Sequence, residues 1–233
     1  MKRFYRTVKT KSVKDGWTIL LDKNSVKTPG KNNLVLPNLL LAEAVKEEWE
    51  NQKTVILPLK MPFTKLANTA IDRVKEKRHQ IIEELSGYGN SDLLCYRIKS
   101  PIELAHRQKK EWQPAIDWIF KTFNIEIQTT TDILYVKQNS EVLLKIENLI
   151  ADFNDFSIAG IQLVTSLSNS IILSLALAKG FFSAEKAFRS ALLEELYQVE
   201  KWGDDEENKR RREGIKSEFF NAERFIKLAE TGV

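Results

Sequence analysis

Several residue types are scarce in this sequence, and each scarcity excludes a class of protein or site. A single cysteine, Cys95, rules out an intramolecular disulfide and favours a reducing compartment. Only nine glycines and six prolines occur in 233 residues, which argues against a loop-rich all-β chain and favours helices. The two histidines, His79 and His106, are far apart and have no cysteine or histidine at ligand spacing, so no zinc site is expected. The one Gly-Lys pair, Gly30 and Lys31, lacks the other residues of a phosphate-binding loop.

Membrane and secretory segments are also not expected. The first ten residues have no apolar core, so they do not form a secretory signal. One uncharged run, residues 156–178, has 23 residues, which is long enough to span a bilayer. Its centre is rich in Ser, Thr and Asn, so we predict a buried central helix of a soluble bundle and no membrane insertion. The hydrophobic content of 42% is sufficient for such a core, and the net charge of +4 is modest.

The pattern of the chain changes near residue 60. Before it, residues 4–10, 17–21 and 34–36 have strand patterns and predict a small antiparallel sheet. The predicted helices after it are 63–85, 102–123, 141–153, 158–178, 184–202 and 205–229. Ser157 and Ser183 are expected to cap the helices that follow them. We therefore predict an α+β protein with a β-rich N-terminal domain at residues 1–60 and a larger helical C-terminal domain at residues 61–233.

The predicted helix 184–202 carries a carboxylate inside its apolar stripe. At about 100° per residue, Glu195 lies between the stripe residues Phe188, Leu192, Val199 and Trp202. An inward carboxylate loses hydration and needs a cation or hydrogen-bond donors. Two alternatives stay open: an internal ion pair with an arginine of another helix, or a partner on another molecule.

Five further polar residues are predicted to have structural roles: Asn68, Asp72, Asp92, Arg97 and Arg107. Asn68 and Asp72 are spaced i, i+4 and form one polar patch, which we expect to orient neighbouring helices by hydrogen bonds. Asp92 is expected to cap the segment that follows it. Arg97 and Arg107 are the candidates for an internal pair with Glu195, because a guanidinium binds a carboxylate through two hydrogen bonds.

Four consecutive cations, residues 209–212, follow an acidic run at residues 204–207. On a helix, the acids lie one turn before the cations at i, i+4 spacing, so the run is largely neutralised and no nucleic-acid partner is expected. The alternative to a binding protein is an unrecognised hydrolase that uses the helix-borne carboxylates Glu194, Glu195 and Asp72.

Five strings occur in order along the chain: MPFTKLANTAID at 61–72, SDLLCYR at 91–97, RQKKEWQPAIDW at 107–118, ILSLALAKG at 172–180 and LEELYQVEKWG at 193–203. With the opening RFY and the GWTILLD segment, they resemble the assembly chaperones of the F-type ATP synthase catalytic sector, the family of mitochondrial assembly factor 2. The resemblance runs from about residue 4 to residue 229. It implies a smaller β-rich domain, a larger helical domain, no enzymatic activity and no cofactor.

The resemblance also implies a partner and a surface. The protein is expected to bind the unassembled alpha subunit of the synthase and to mask its subunit interface until the beta subunit displaces it. Partner binding is expected at Glu194, Glu195, Gln198 and Trp202, with no distinction between the two carboxylates. The free protein is expected to be a monomer in a bacterial cytoplasm or, in a eukaryote, in the mitochondrial matrix.

Overall fold

The N-terminal strands form an antiparallel sheet around one central strand. The structure is a computed structural model that describes residues 1–132 and 136–231. The strands are β1 (Val8–Val13), β2 (Gly16–Leu21), β3 (Asn24–Ser25) and β4 (Val35–Leu36). β1 pairs with β2 along its whole length, with Val8 opposite Leu21, and both β3 and β4 also pair with β2. The predicted sheet is confirmed, although its first strand begins at Val8 rather than at residue 4.

The turn between β1 and β2 requires glycine. Gly16 has a φ of 141°, and a β carbon added there would lie 2.2 Å from the carbonyl oxygen of Leu36. A side chain at this position would therefore force β4 away from β2.

Helices make up most of the remaining described chain, which confirms the α+β class. The α-helices are α1 (Leu39–Glu50), α2 (Pro62–Thr69), α3 (Arg78–Gly87), α4 (Ile102–Phe123), α5 (Ser140–Ala151), α6 (Asp155–Ser168), α7 (Ile171–Ala178), α8 (Ala184–Ala191), α9 (Leu193–Trp202) and α10 (Glu206–Glu230). Shorter turns are the 3-10 helices Pro58–Lys60, Tyr88–Ser91 and Leu93–Cys95 and the π-helix Ala70–Val74. The bounds predicted for residues 102–123 are those of α4.

Three predicted helices are interrupted. Residues 63–85 form α2, the π-helix and α3, and the backbone N–H of Lys75 donates to the oxygen of Ala70 at 2.9 Å, the i to i−5 bond of a π turn. Residues 158–178 are divided at Asn169, whose φ is 51°. Residues 184–202 are divided at Leu192, which has φ −102° and ψ 20°.

One predicted helix cap is wrong and one is confirmed. The side-chain oxygen of Asn154, not Ser157, caps α6, since it accepts from the backbone N–H groups of residues 156 and 157 at 3.0 Å. Ser157 lies inside the helix and donates to Glu230 instead. Ser183 does cap α8, because its hydroxyl accepts from the backbone N–H of Lys186.

The uncharged segment predicted to be buried contains α7, whose residues 171–177 are all buried. Among the helices of the described residues, none has both the length and the apolar character needed to cross a bilayer.

The described chain divides into two compact units. The first unit comprises Met1–Arg78, Asn154–Gly160 and the described residues from Arg224 onward, and the second comprises the described parts of His79–Phe153 and Ile161–Glu223. The domain boundary after residue 60 stays a prediction, since it concerns which segments fold independently.

A half-buried carboxylate joins two helices within the first unit. Glu48 of α1 accepts hydrogen bonds from the backbone N–H groups of Phe63 and Thr64, at 2.6 and 2.8 Å, and from the Thr64 hydroxyl at 2.7 Å. These N–H groups open α2 and have no partner inside the helix. Burial raises the pKa of Glu48 despite these donors. Glu48 therefore fixes the start of α2 to α1.

The second unit is centred on aromatic and aliphatic residues of α4 and its neighbours. Trp112 is fully buried, and its indole N–H donates to the carbonyl oxygen of Ser190 in α8 at 2.9 Å. This bond satisfies the polar atom that burial of a tryptophan would otherwise leave without a partner.

Candidate functional site

α9 ends in a tryptophan that is largely exposed to solvent. The exposed fraction of Trp202 is 78%. Gly203, with φ 89°, stops the helix directly after it, and its N–H donates to the oxygen of Val199 at 2.9 Å. The prediction that Trp202 lies on an inward stripe with Phe188 and Leu192 is wrong: those two residues are buried, and the break at Leu192 ends the common stripe.

Glu195 is held by two arginines of α10. Arg211 donates to Glu195, and Arg212 donates to the same carboxylate at 2.9 Å. Partial burial acts to raise the pKa of Glu195, but the hydrogen bonds from both arginines outweigh it and lower the pKa below its usual value. The side chain keeps 31% of its surface exposed. An intramolecular ion pair therefore forms, although not with Arg97 or Arg107.

Arg212 is the centre of this ion-pair cluster. Its side chain is 7% exposed and also donates to Asp204, which lies between α9 and α10. Asp204 and Glu195 together raise the pKa of the guanidinium. The spacing of the basic run predicts pairs with acids at i, i+4 on its own helix. Instead, Arg211 and Arg212 bind α9, and Lys209 approaches Glu206 at 3.9 Å.

The other two predicted partner-binding residues are exposed. Glu194 accepts a hydrogen bond from the side-chain nitrogen of Gln108 at 2.6 Å, and Gln198 lies one turn further along α9. A concave surface includes these side chains and the ion-pair cluster. We call it the α9 surface, formed by Glu194, Glu195, Gln198, Val199, Trp202, Gly203, Asp204, Asp205, Asn208, Arg211 and Arg212.

Arg107 fixes the end of α9 to α4. It donates to both carboxylate oxygens of Glu200, at 2.5 and 2.8 Å, and to Glu103 one turn earlier on its own helix at 2.7 Å. Lys201 reaches the second oxygen of Glu103 at 2.8 Å. The carboxylates of Glu200 and Glu103 raise the pKa of Arg107. Arg107 thus has a positioning contact with α9, on the side of the helix away from Glu195.

Arg97 does not pair with a carboxylate in the described structure. Its guanidinium donates to the side-chain oxygen of Gln113 at 2.7 Å, and its backbone N–H donates to the oxygen of Thr130 at 2.8 Å. Burial lowers the pKa of Arg97. These contacts place Arg97 at the junction between α4 and the chain after it. Residues 125–136 are rich in Thr and Ile, which predicts a short strand or an extended linker, and residues 133–135 of this run lie outside the described residues.

Asp92 is a fully buried carboxylate in the second unit. It accepts from the N–H of Leu94 at 3.0 Å, as the predicted cap, and also from the Ser170 hydroxyl at 2.8 Å and the N–H of Ile172 at 3.1 Å. Burial raises its pKa to about 6, because these neutral donors offset only part of the desolvation. Asp92 therefore joins the Leu93–Cys95 turn to the start of α7.

Asp72 holds a loop of the first unit. It accepts from the Thr28 hydroxyl at 2.5 Å, the Gly30 N–H at 2.8 Å and the Asn32 amide at 2.9 Å. Partial burial acts to raise the pKa of Asp72, but the three donors together lower it. The expected helix-to-helix contact is replaced by a helix-to-loop contact. Asn68 does not share it, and its side-chain oxygen is buried without a hydrogen-bond partner in the described structure.

These environments bear on the hydrolase alternative. A general acid or base works best with a pKa near the working pH, whereas the pKa values of Glu195 and Asp72 are both lowered by donors that already occupy them. Burial and the charge of Asp92 raise the pKa of the Cys95 thiol to about 12, so this cysteine is unsuited to act as a nucleophile. Among the described residues, no group of three or more His, Cys, Asp or Glu is arranged to hold a metal ion.

Comparison with known protein families identifies the group to which the chain is related. The family model described as ATP12 chaperone protein matches residues 2–120, about half of the chain. The chain belongs to the ATP12 chaperone family. ATP12 proteins are assembly chaperones of ATP synthase, which confirms the family resemblance found in the sequence and places the protein in a family of chaperones.

Relatives of the ATP12 family occur in mitochondria and in bacteria. The mitochondrial protein atp12 of Schizosaccharomyces pombe is 27% identical over 218 residues, covering 88% of this chain and 75% of that protein. Crystal structures of Atp12 from Paracoccus denitrificans, wild type and a point mutant, are 34% identical, with a TM-score of 0.93 and 98% of each chain covered. Atu1473 of Agrobacterium tumefaciens is also 34% identical, with a TM-score of 0.91 over 99% of this chain and 85% of that one.

The residues that sequence reasoning missed are Arg211, Arg212 and Asp204. The sequence does contain an indication of this cluster. Acidic residues directly before a cationic run place positive and negative side chains together at the start of one helix. The i, i+4 rule assigned the cations to their own helix, whereas the short α9–α10 connection brings them to the previous helix.

Proposed function

We propose that this protein binds the unassembled alpha subunit of the F-type ATP synthase and masks its subunit interface until the beta subunit displaces it. The observation that carries the proposal is the exposed Trp202 on the α9 surface of an ATP12 family member. Tryptophan is enriched among the residues that dominate binding energy at protein interfaces, and large exposed apolar side chains mark such surfaces.

The α9 surface has the composition of an interface with a defined polar rim. Trp202 is the apolar anchor, while Glu194 and Gln198 are exposed polar groups one turn apart on the same helix. Glu195 is held in one orientation by Arg211 and Arg212. A carboxylate already positioned in this way loses little conformational entropy when it meets a cation of a partner.

In this proposal, the alpha subunit is released because the beta subunit competes with the chaperone for the same interface. An unassembled subunit exposes an interface that tends to self-associate, and covering it keeps the subunit in solution. A beta subunit with a larger or better-matched interface would displace the chaperone by mass action, without hydrolysis of a nucleotide.

The test is co-expression of the protein with its cognate alpha and beta subunits. We expect the alpha subunit to co-purify with the chaperone and to leave it when beta subunit is added. Trp202→Ala should reduce the retained alpha subunit at least about tenfold while leaving the melting temperature unchanged, because the side chain is exposed.

Leu144→Ala is the matched control, since Leu144 is an exposed leucine of α5 in the same unit and lies outside the α9 surface. The Leu144→Ala protein should retain as much alpha subunit as the wild type does. Retention of beta in place of alpha would refute the partner assignment, and full retention of alpha by Trp202→Ala would refute the surface.

A further inference from the structure

A second exposed surface lies in the first unit, where the N-terminal residues run antiparallel to the segment before α2. Lys2 pairs with Val55, the N–H of Ile56 donates to the oxygen of Met1 at 2.8 Å, and the N–H of Arg3 donates to Thr54 at 3.0 Å. The two short segments therefore have the alternation of a strand pair, with successive side chains on opposite sides.

This alternation separates buried from exposed apolar residues. Tyr5 and Ile56 point inward and are buried, whereas Phe4, Val55 and Leu57 are exposed, with 62% exposure for Phe4. Leu59, in the 3-10 turn that follows, is 99% exposed. We call these four exposed residues, Phe4, Val55, Leu57 and Leu59, the N-terminal apolar patch.

The backbone beneath the patch is fixed by side-chain hydrogen bonds. Gln52 is buried, and its side-chain oxygen accepts from the backbone N–H of Leu57 at 2.8 Å. The backbone carbonyl oxygen of Gln52 accepts from the Arg3 guanidinium at 2.6 Å. The Tyr5 hydroxyl donates to the oxygen of Trp49 at 2.7 Å. The apolar side chains are thus held outward by an ordered framework, which reduces the entropy lost when they bind.

The charges around the patch are mostly positive, although the Asp22 carboxylate accepts from the backbone N–H of Arg6 at 3.1 Å. Lys2, Arg6, Lys53 and Lys60 are exposed beside it, and residues 1–14 and 51–71 contain no aspartate or glutamate. The surface that fits this patch is apolar and bordered by carboxylates, since such a border would complement the cations.

We propose that the N-terminal apolar patch is a second docking surface for the chaperone's client, and that it covers an apolar, carboxylate-bordered area of the unassembled ATP synthase subunit. This inference rests on the proposed function. The α9 surface alone presents one large exposed apolar side chain, Trp202, among mostly charged groups. A client face that self-associates is apolar and needs apolar cover, which the patch supplies.

The experiment compares the double variant Leu57→Ser/Leu59→Ser with the wild type in retention of the cognate alpha subunit by the immobilised full-length chaperone. Both leucines are exposed, so the melting temperature should not change. We expect retention to fall about tenfold or more. The control, Leu40→Ser, removes an exposed leucine of α1 in the same unit and should bind as the wild type does.

The possible results separate this inference from the proposed function. If the wild type retains the alpha subunit and the double variant retains as much, the docking role of the patch is overturned while the proposed function stands. If the wild type retains none, both are overturned. If the wild type instead sediments with vesicles of anionic phospholipid and the double variant does not, with alpha binding equal in both, the patch is a membrane contact and the inference is overturned.

Discussion

Asp92 and Glu195 are both carboxylates that join helical elements of the second unit, but their partners differ. Asp92 is fully buried, and the groups that donate to it are neutral: backbone N–H groups and the Ser170 hydroxyl. Glu195 lies at the surface and accepts from two guanidinium groups. Burial raises the pKa of Asp92, whereas the arginines lower the pKa of Glu195. The enclosed carboxylate has no access to another molecule, and the surface one does.

The difference separates a structural from an interaction role. The donors of Asp92 belong to the backbone and to a helix cap, so they cannot leave without unfolding α7 locally. Arg211 is half exposed and can exchange partners at little cost, because water and salt screen its pair, whereas the buried Arg212 stays paired with Asp204. Both carboxylates were singled out by sequence, but only the structure assigns them to these two environments.

The largest expected effect is on stability, from Asp92→Ala. It leaves the buried donors of Asp92 without their acceptor, and we expect the free energy of unfolding to fall by about 3–5 kcal/mol. Urea denaturation measures this. Asp152→Ala, at an exposed aspartate of the same unit, is the control and should stay within about 0.5 kcal/mol of the wild type. Equal stability of the two variants would contradict the assigned role.

The second prediction uses pH to test the same carboxylate. The pKa of Asp92 is about 6 in the folded protein and 3.8 as the reference for the unfolded chain, so folding favours the protonated form. Its stabilising contribution is complete below about pH 4 and is lost as pH rises through 6. Relative to Asp92→Asn, the wild type should therefore lose up to about 3 kcal/mol between pH 4 and pH 7. A constant difference over this range, measured by urea denaturation, would refute the raised pKa.

Asp72→Ala should have a smaller effect, because its loop is partly exposed. Loss of the contacts to Thr28, Gly30 and Asn32 is expected to reduce the free energy of unfolding by about 1–2 kcal/mol. Asp72→Asn keeps an acceptor oxygen, so its free energy of unfolding should fall less than that of Asp72→Ala. Binding of the alpha subunit should change less than stability does, and the reverse order in melting and pull-down assays would contradict the structural role.

Glu195→Lys should have the smallest effect on stability and a large effect on binding. Arg211 is half exposed and the buried Arg212 keeps its ion pair with Asp204, so we expect the free energy of unfolding to fall by about 1 kcal/mol. A lysine facing Arg211 and Arg212 removes the negative charge offered to a client, and retention of the alpha subunit should fall at least about tenfold. Glu195→Gln keeps a hydrogen-bond acceptor without the charge, so it should retain an amount of alpha subunit between that of the wild type and that of Glu195→Lys. A folded Glu195→Lys protein that retains alpha subunit normally would refute the site.

Helix positions were largely predictable, and helix breaks were not. The amphipathic pattern and a proline before it define α4, so its bounds follow from sequence. Apolar periodicity continues across Leu192, and nothing in the local residues marks the break there. Asn169 carried a usable signal, since asparagine is the residue that most readily adopts a positive φ after glycine.

For the candidate site, sequence identified the carboxylates but not their partners. That Glu195 needs a cation follows from its place in an apolar stripe, but the choice among several arginines depends on how helices pack. By sequence, Arg97 and Arg107 are equally suitable partners for Glu195, but in the structure they contact Gln113 and Glu200 instead. Trp202 is exposed because α9 ends at Gly203, directly after it. The sequence predicts a helix end at this position, but it does not predict on which side of the helix Trp202 lies.

The π-helix at Ala70–Val74 determines where Asp72 points. One extra residue in this turn rotates everything after it by about 100° relative to a regular helix. Deleting Ala70 or Ile71, the turn residues before Asp72, would restore ordinary winding and carry the Asp72 carboxylate away from the loop at residues 28–32. A homologue that lacked one residue here would therefore lose the contact between Asp72 and this loop, even if the sequence of the loop were the same.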